Sequence, residues 1–184
     1  AGFDDMRESM GASAAEIDCG FETDGGDDAL RDAIARIRAE AEDAVRGGSN
    51  HLILDDRAVG PGRAAIPMIL AAGAVHAHLV RQNLRTYTSI NLRCGECLDV
   101  HYVAVLIGVG ATTVNAYLAQ ETIADRHRRG LFPSLNLGDC VARYKQAVDQ
   151  GLLKVMSKLG ISVVSSYRGG YNFEAIGLSR TLVA

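Results

Sequence analysis

Residues 99–110 read DVHYVAVLIGVG, from Asp99 to Gly110. From Tyr102 to Val109 the run is almost wholly apolar. A period of two or of 3.6 therefore cannot be read from it, and it fits a buried strand or a buried helix equally well. Its neighbours make the choice consequential. Thr86–Leu92 before it is β-branched and reads as a strand, and Thr112–Asn115 after it reads as another short strand. With a helix between them, these segments form a βαβ unit on a parallel sheet.

The flanking chain has the same alternation. Asp28–Arg46 carries Leu30, Ile34, Ile37, Ala41 and Ala44 at helical spacing, with Asp27 and Asp28 at the positive end and Gly47-Gly48 closing it. His51–Asp55 (HLILD) reads as a buried parallel strand. A turn at Ala58–Gly62 with Pro61 precedes a small-residue helix over Pro67–Asn83. Helices are predicted over Ala116–Arg129 and Asp139–Leu159, with a loop at Leu131–Gly138. A strand is predicted over Ile161–Ser165 and a short helix over Tyr171–Ile176. Residues 1–26, rich in Gly, Ala and Asp, read as an irregular lead-in, and residues 27–184 as one domain. The class is α/β with parallel strands, too few for a complete eight-stranded barrel.

A chain of 184 residues can bury a substantial core, roughly 70% of its unfolded surface. The net charge of −3 gives no attraction to nucleic acid or to an anionic membrane, so neither is expected as a partner. No apolar run reaches membrane-spanning length. Four scattered cysteines, Cys19, Cys94, Cys97 and Cys140, fit a reducing cytoplasm better than a disulfide framework. The start at Ala1-Gly2-Phe3 and the apolar end Leu182-Val183-Ala184 lead us to expect a processed chain or a piece of a longer polypeptide.

The segment just before the ambiguous run, Arg93-Cys-Gly-Glu-Cys-Leu98, offers chemistry. Cys94-x-x-Cys97 with His101 supplies three metal-type ligands, one short of a structural zinc site. A CxxC after a strand also suits a redox pair. The competing reading is a loop whose thiols pack as small apolar groups. His76 and His78 are two apart, so on a helix they face different ways. Gly108-Val-Gly110 lacks the third glycine and the lysine of phosphate-binding motifs and reads as a turn. Arg126–Arg129 reads as a solvated helix end. Arg168, after a predicted strand, is a candidate anion contact, because ligands of α/β folds sit at strand carboxyl ends.

Five blocks resemble the large chain of glutamate synthase. Gly151–Ser162 (GLLKVMSKLGIS) and Ser166–Leu178 (SYRGGYNFEAIGL) are similar to adjoining family segments. So are Ile53–Arg57 (ILDDR), Ile66–His78 (IPMILAAGAVHAH) and Gly108–Ala119 (GVGATTVNAYLA). The resemblance runs from about Ile17 to Leu182. It implies the central domain, an incomplete TIM-like β/α barrel between a glutaminase domain and an FMN-binding domain, and it favours a helix for Asp99–Val109. It further implies a positional role: supporting ammonia transfer in an enzyme that makes two glutamates from glutamine, 2-oxoglutarate and reductant. FMN and a 3Fe–4S cluster would be held by other parts of that enzyme and no cofactor by this segment. A small subunit or ferredoxin would be a further partner. At the CxxC, Gly95, Glu96 and His101 match the family, while Cys94 and Cys97 stand where it has other small residues. Arg93 stands where it has a glutamate, and Ala77 where it has a histidine. Candidate strand-end contacts are Asp55, Asp56, Glu96, His101 and Arg168; no catalytic residue is expected. The alternative is a small metal-binding module through Cys94, Cys97 and His101.

Overall fold

The computed structural model describes residues 3–174 together with Ile176 and Gly177. In chain order the elements are α1 (Phe3–Met10), β1 (Ala14–Asp18), β2 (Gly20–Glu22), α2 (Ala29–Arg46), β3 (His51–Asp55), β4 (Arg63–Ala65), α3 (Met68–Arg81), β5 (Ser89–Arg93), α4 (Val100–Gly108), β6 (Thr113–Asn115), α5 (Tyr117–Arg128), α6 (Leu137–Lys158) and α7 (Val164–Tyr167). Short 3-10 turns lie at Gly11–Ser13 and Arg85–Tyr87.

The main sheet has the order β1-β3-β5-β6, with every pair parallel. Spatial order follows chain order, and α2, α3 and α4 are the successive crossovers. That is the winding of a β/α barrel; a doubly wound fold would reverse direction midway. Among the described residues the sheet has four strands with open edges at β1 and β6, so the barrel is incomplete. β2 and β4 form a separate antiparallel pair. In β3, Leu52, Ile53 and Leu54 are all fully buried, as expected for a parallel strand covered on both faces.

The run at 99–110 is helical. Asp99 sits at the N-cap in extended conformation, and its carboxylate accepts a 2.8 Å hydrogen bond from the Tyr102 amide. Val103 to Gly108 are buried, so the helix is covered all round and shows no amphipathic stripe. Gly110, at φ +120°, then turns the chain into β6. One cover is the segment after α6. Tyr167 is completely buried, and its hydroxyl donates 2.8 Å to the Ala104 carbonyl. Phe173 packs edge-on against both Tyr167 and His101.

Three expectations are corrected. Residues 1–26 are not irregular where described: they contain α1, β1 and β2, and β1 buries Ile17 at the sheet edge. Its five residues are too few, and too interrupted by Glu16 and Asp18, to stand out by pattern. Ile161–Ser165 is not a strand. Gly160, at φ +72°, ends α6, with its amide bonded to the Ser157 carbonyl and that of Ile161 to Met156, and Val164 then begins α7. The β-branched residues favour extension, but residues 162–165 are exposed and pair with no strand among the described residues. Residues 171–174 form no helix, since Tyr171 takes a left-handed φ of +54°; the expected helix also includes Ala175, outside the described residues.

Among the described residues no helix is long and apolar enough to cross a membrane.

Candidate functional site

Parallel register brings four polar side chains into one row at the strand carboxyl ends. Asp18 of β1 pairs with Asp55 of β3, Asp55 with Arg93 of β5, and Arg93 with Asn115 of β6. In β/α folds this is the end that binds ligands. Here the chain's own groups occupy it. Asp55 accepts a bidentate hydrogen bond from Arg57 and a 3.3 Å contact from Arg93. Burial alone would raise its carboxyl, but Arg57 and then Arg93 outweigh burial and hold it below the usual range. Arg93, only 4% exposed, also lies under the Phe3 ring at 4.8 Å. Its charge is matched by Asp55 and an aromatic face, which is how a guanidinium tolerates burial.

The loop after β5 leads from this row to two helices. Asp56, 5% exposed, accepts 2.8 Å from the Gly95 amide through Oδ2. Its Oδ1 is buried without a well-formed hydrogen bond. Burial pushes the Asp56 carboxyl up, opposed by Gly95 and the nearby Tyr117 phenol. A side chain at Gly95 would strike the Tyr117 hydroxyl, so the loop packs there with no room for a Cβ. Glu96 points to the start of α3, and its Oε1 accepts 2.5 Å from the Met68 amide. Pro67 occupies that helix's N-cap without a capping side chain, so Glu96 supplies the cap from 28 residues along the chain.

Cys94 and Cys97 are both buried. Hydrogen bonding to Cys97, burial and then Asp56 push the Cys94 thiol above its usual range, the opposite of what a redox or metal-binding thiol requires. His101 is exposed and lies against Phe173. Among the described residues no three His, Cys, Asp or Glu groups could hold one metal ion.

Arg168 does not join the strand-end row. It follows α7, near a second cluster at the amino-terminal side of the sheet. There Arg85 donates to His76 Nδ1 at 3.0 Å, to the Thr88 carbonyl at 2.6 Å and to the Gly110 carbonyl at 2.8 Å. Burial first, then Arg85 and Arg168, hold His76 down at about 4, and burial and Arg168 hold Arg85 at about 10. His78 faces away, bonded to Glu42 of α2 at 2.7 Å, as residues two apart on a helix require.

Sequence reasoning expected Asp55, Asp56, Glu96, His101 and Arg168 at strand ends; Asp55 ends β3, Asp56 and Glu96 lie in the loops after β3 and β5, His101 lies in α4, and Arg168 follows α7. It missed Asp18, Tyr117 and Arg85. Asp18 ends a short apolar run as Asp55 does, which was a usable signal; nothing local marked the other two.

A family model described as the glutamate synthase central domain matches residues 2–179. The chain is 70% identical, over its whole length, to the glutamate synthase [NADPH] large chain of Azospirillum brasilense. It is 38% identical over 93% of its length to glutamate synthase [NADH] of Saccharomyces cerevisiae, and 41% over 84% to the ferredoxin-dependent chloroplastic enzyme of Spinacia oleracea. The chain spans only 12%, 8% and 10% of those relatives.

Proposed function

Because the chain belongs to the family of glutamate synthase central domains, we propose that it is the positional middle piece of such an enzyme. It holds a glutaminase domain and an FMN-binding domain of the same polypeptide in fixed relation, so that ammonia released from glutamine reaches 2-oxoglutarate without escaping to solvent. The single domain over 27–184 then extends to include β1. A small subunit or ferredoxin would deliver electrons to the whole enzyme, in the cytoplasm.

One observation carries this reading: the strand ends, where a β/α enzyme would keep an open site, are filled by the Asp55–Arg57–Arg93 ion pairs and by Phe3. The burial of Cys94 and Cys97, with the Cys94 thiol pushed above its usual range, supports it too. FMN and a 3Fe–4S cluster supply the redox chemistry of the proposed enzyme, and the described residues do not fit either. Among the described residues no three cysteines converge, and the cleft beside the strand ends is lined by Glu16, Asp18, Asp55 and Arg57, whose guanidinium is already paired with Asp55, so the two remaining carboxylates disfavour a flavin phosphate. Leu153, Leu159, Val163 and Val164 are exposed around the end of α6, a surface suited to packing against another domain.

In this role Glu96 and Asp56 set the loop that joins β5 to α3 and α4. The test is Glu96→Ala in the complete enzyme, comparing glutamine hydrolysed with glutamate formed. The expected result is hydrolysis in excess of synthesis, with glutaminase turnover retained. Fully coupled, undiminished activity would remove Glu96 from the positioning role.

A further inference from the structure

The core-facing side of α6 is complete. Tyr144, Val148, Leu152, Val155 and Met156 recur at helical spacing and pack on the core. The side turned to solvent should then be polar, and from Arg143 to Gln150 its large exposed side chains are. Leu153 breaks the pattern on that outer side, and Leu159, Val163 and Val164 follow it; these four are 43–59% exposed. Single exposed aliphatic residues need no explanation, but these gather at one groove. It holds about 380 Å³ between the last turns of α6 and the turn after it, lined by Leu153, Met156, Ser157, Gly160, Ile161 and Ser162.

The groove is held in shape. The Ile161 amide donates 2.9 Å to the Met156 carbonyl, and α7 is anchored through Tyr167 to α4. A partner therefore meets a preformed surface, which lowers the ordering cost of binding. Charge sets the partner's sign. Residues 117–158 carry seven Arg and Lys against four Asp and Glu, while residues 3–46 carry five against thirteen, so α6 lies on the cationic side of the chain. Lys154 and Lys158, beside the groove, are exposed and have no ion pair among the described residues, whereas Lys145 pairs with Asp149 on the same helix.

We propose that this groove receives an apolar side chain from a neighbouring domain of the same polypeptide, with carboxylates of that domain meeting Lys154 and Lys158. The proposal rests on the positional reading above for the presence of such a domain; the chain spans 12% of its 70%-identical relative, so most of that polypeptide lies outside it. Four half-exposed aliphatic residues around one groove are a small surface for holding a separate chain, but a tethered domain meets them at high effective concentration. The surface is also connected to the strand-end loop. Tyr167 joins α7 to α4, and α4 starts at Asp99, three residues after Glu96.

The test is hydrogen exchange on the complete enzyme. Among the described residues the amides of Ser162, Val163 and Val164 donate no hydrogen bond within the chain, so a bare surface would leave them unprotected. The expected result is exchange slowed roughly tenfold or more. Leu153→Asp should restore fast exchange, and Leu131→Asp, at an equally exposed position before α6, should not. Carbodiimide cross-linking then identifies the cover, with Lys145 to Asp149 as the internal control. Lys154 or Lys158 should be joined to an Asp or Glu elsewhere in the same polypeptide, with no gain of mass on a denaturing gel. Unprotected exchange in the parent would overturn the docking surface, and this outcome needs no variant. Slow exchange that Leu153→Asp leaves unchanged would overturn the role of the groove. Cross-links only to a second copy or a separate subunit, or none from either lysine while Lys145 reacts, would overturn the occupant. The ratio of glutamine hydrolysed to glutamate formed in Glu96→Ala is read separately, so the docking surface and the positional role can fail independently.

Discussion

Replacing Tyr167 by alanine tests how the segment after α6 holds α4 in place. Tyr167 is fully buried, and its ring packs edge-on to Phe173 at 6.4 Å. Its hydroxyl donates to Ala104 in the middle of α4. Truncating a buried aromatic costs about 3–5 kcal/mol. Tyr167→Phe keeps the ring and loses only the hydroxyl, so it should cost about 1 kcal/mol, the usual net worth of one hydrogen bond. For a domain of this size each kcal/mol lowers the melting temperature by roughly 2–4 °C. Thermal unfolding followed by circular dichroism should therefore show a drop of roughly 6–20 °C for alanine and 2–4 °C for phenylalanine. The contrast matters as much as the size. Alanine and phenylalanine variants that melt together, or an alanine variant within a degree of the parent, would refute the reading that this ring closes the core over α4.

Glu96→Ala should destabilise the chain by about 1–2 kcal/mol in urea unfolding, through the lost cap on α3; Glu96→Gln, which keeps an acceptor, should lose less than half of that. An alanine variant as stable as the parent would mean that Met68 finds water instead. Asp56 carries a raised carboxyl in the folded chain, so its ionisation is resisted by folding, and its stabilising contribution is lost as pH rises from the unfolded value of about 3.9 through the higher folded value. The melting temperature of Asp56→Asn relative to the parent should accordingly climb as pH rises above about 4; a flat or falling difference would contradict the burial assigned to it. All four cysteines are buried, with Cys19 pushed up to about 12. A thiol-reactive dye at neutral pH should therefore label the folded chain slowly and the urea-unfolded chain completely; two rapidly labelled thiols would restore the CxxC as a reactive pair.

Local pattern determined the helices with a one-sided stripe. α2 shows Leu30, Ile34, Ile37, Ala41 and Ala44 directly as spacing, of which Ile34, Ile37 and Ala41 are buried and Leu30 and Ala44 partly so, and Gly47-Gly48 marks its end. The central strand β3 was equally plain, because burial on both faces leaves an unbroken apolar run. These signals, with the order of motifs, were enough for the α/β class and for the family. Tertiary structure alone decided the rest. The run at 99–110 is apolar because it is covered on every side, and coverage by Tyr167 and Phe173 comes from residues some sixty positions away, so no local period could reveal it. The strand expected at 161–165 failed for the converse reason: β propensity is present, but a strand needs an edge to pair with, and this exposed segment meets none among the described residues. The site follows the same division. Asp55, Asp56 and Glu96 were legible as carboxylates after a strand. That Arg93 neutralises one, that Glu96 caps a helix it does not adjoin, and that Arg85 bonds His76 and the Thr88 and Gly110 carbonyls depend on parallel register and helix packing. Those bring distant residues together in space and leave no trace in sequence spacing.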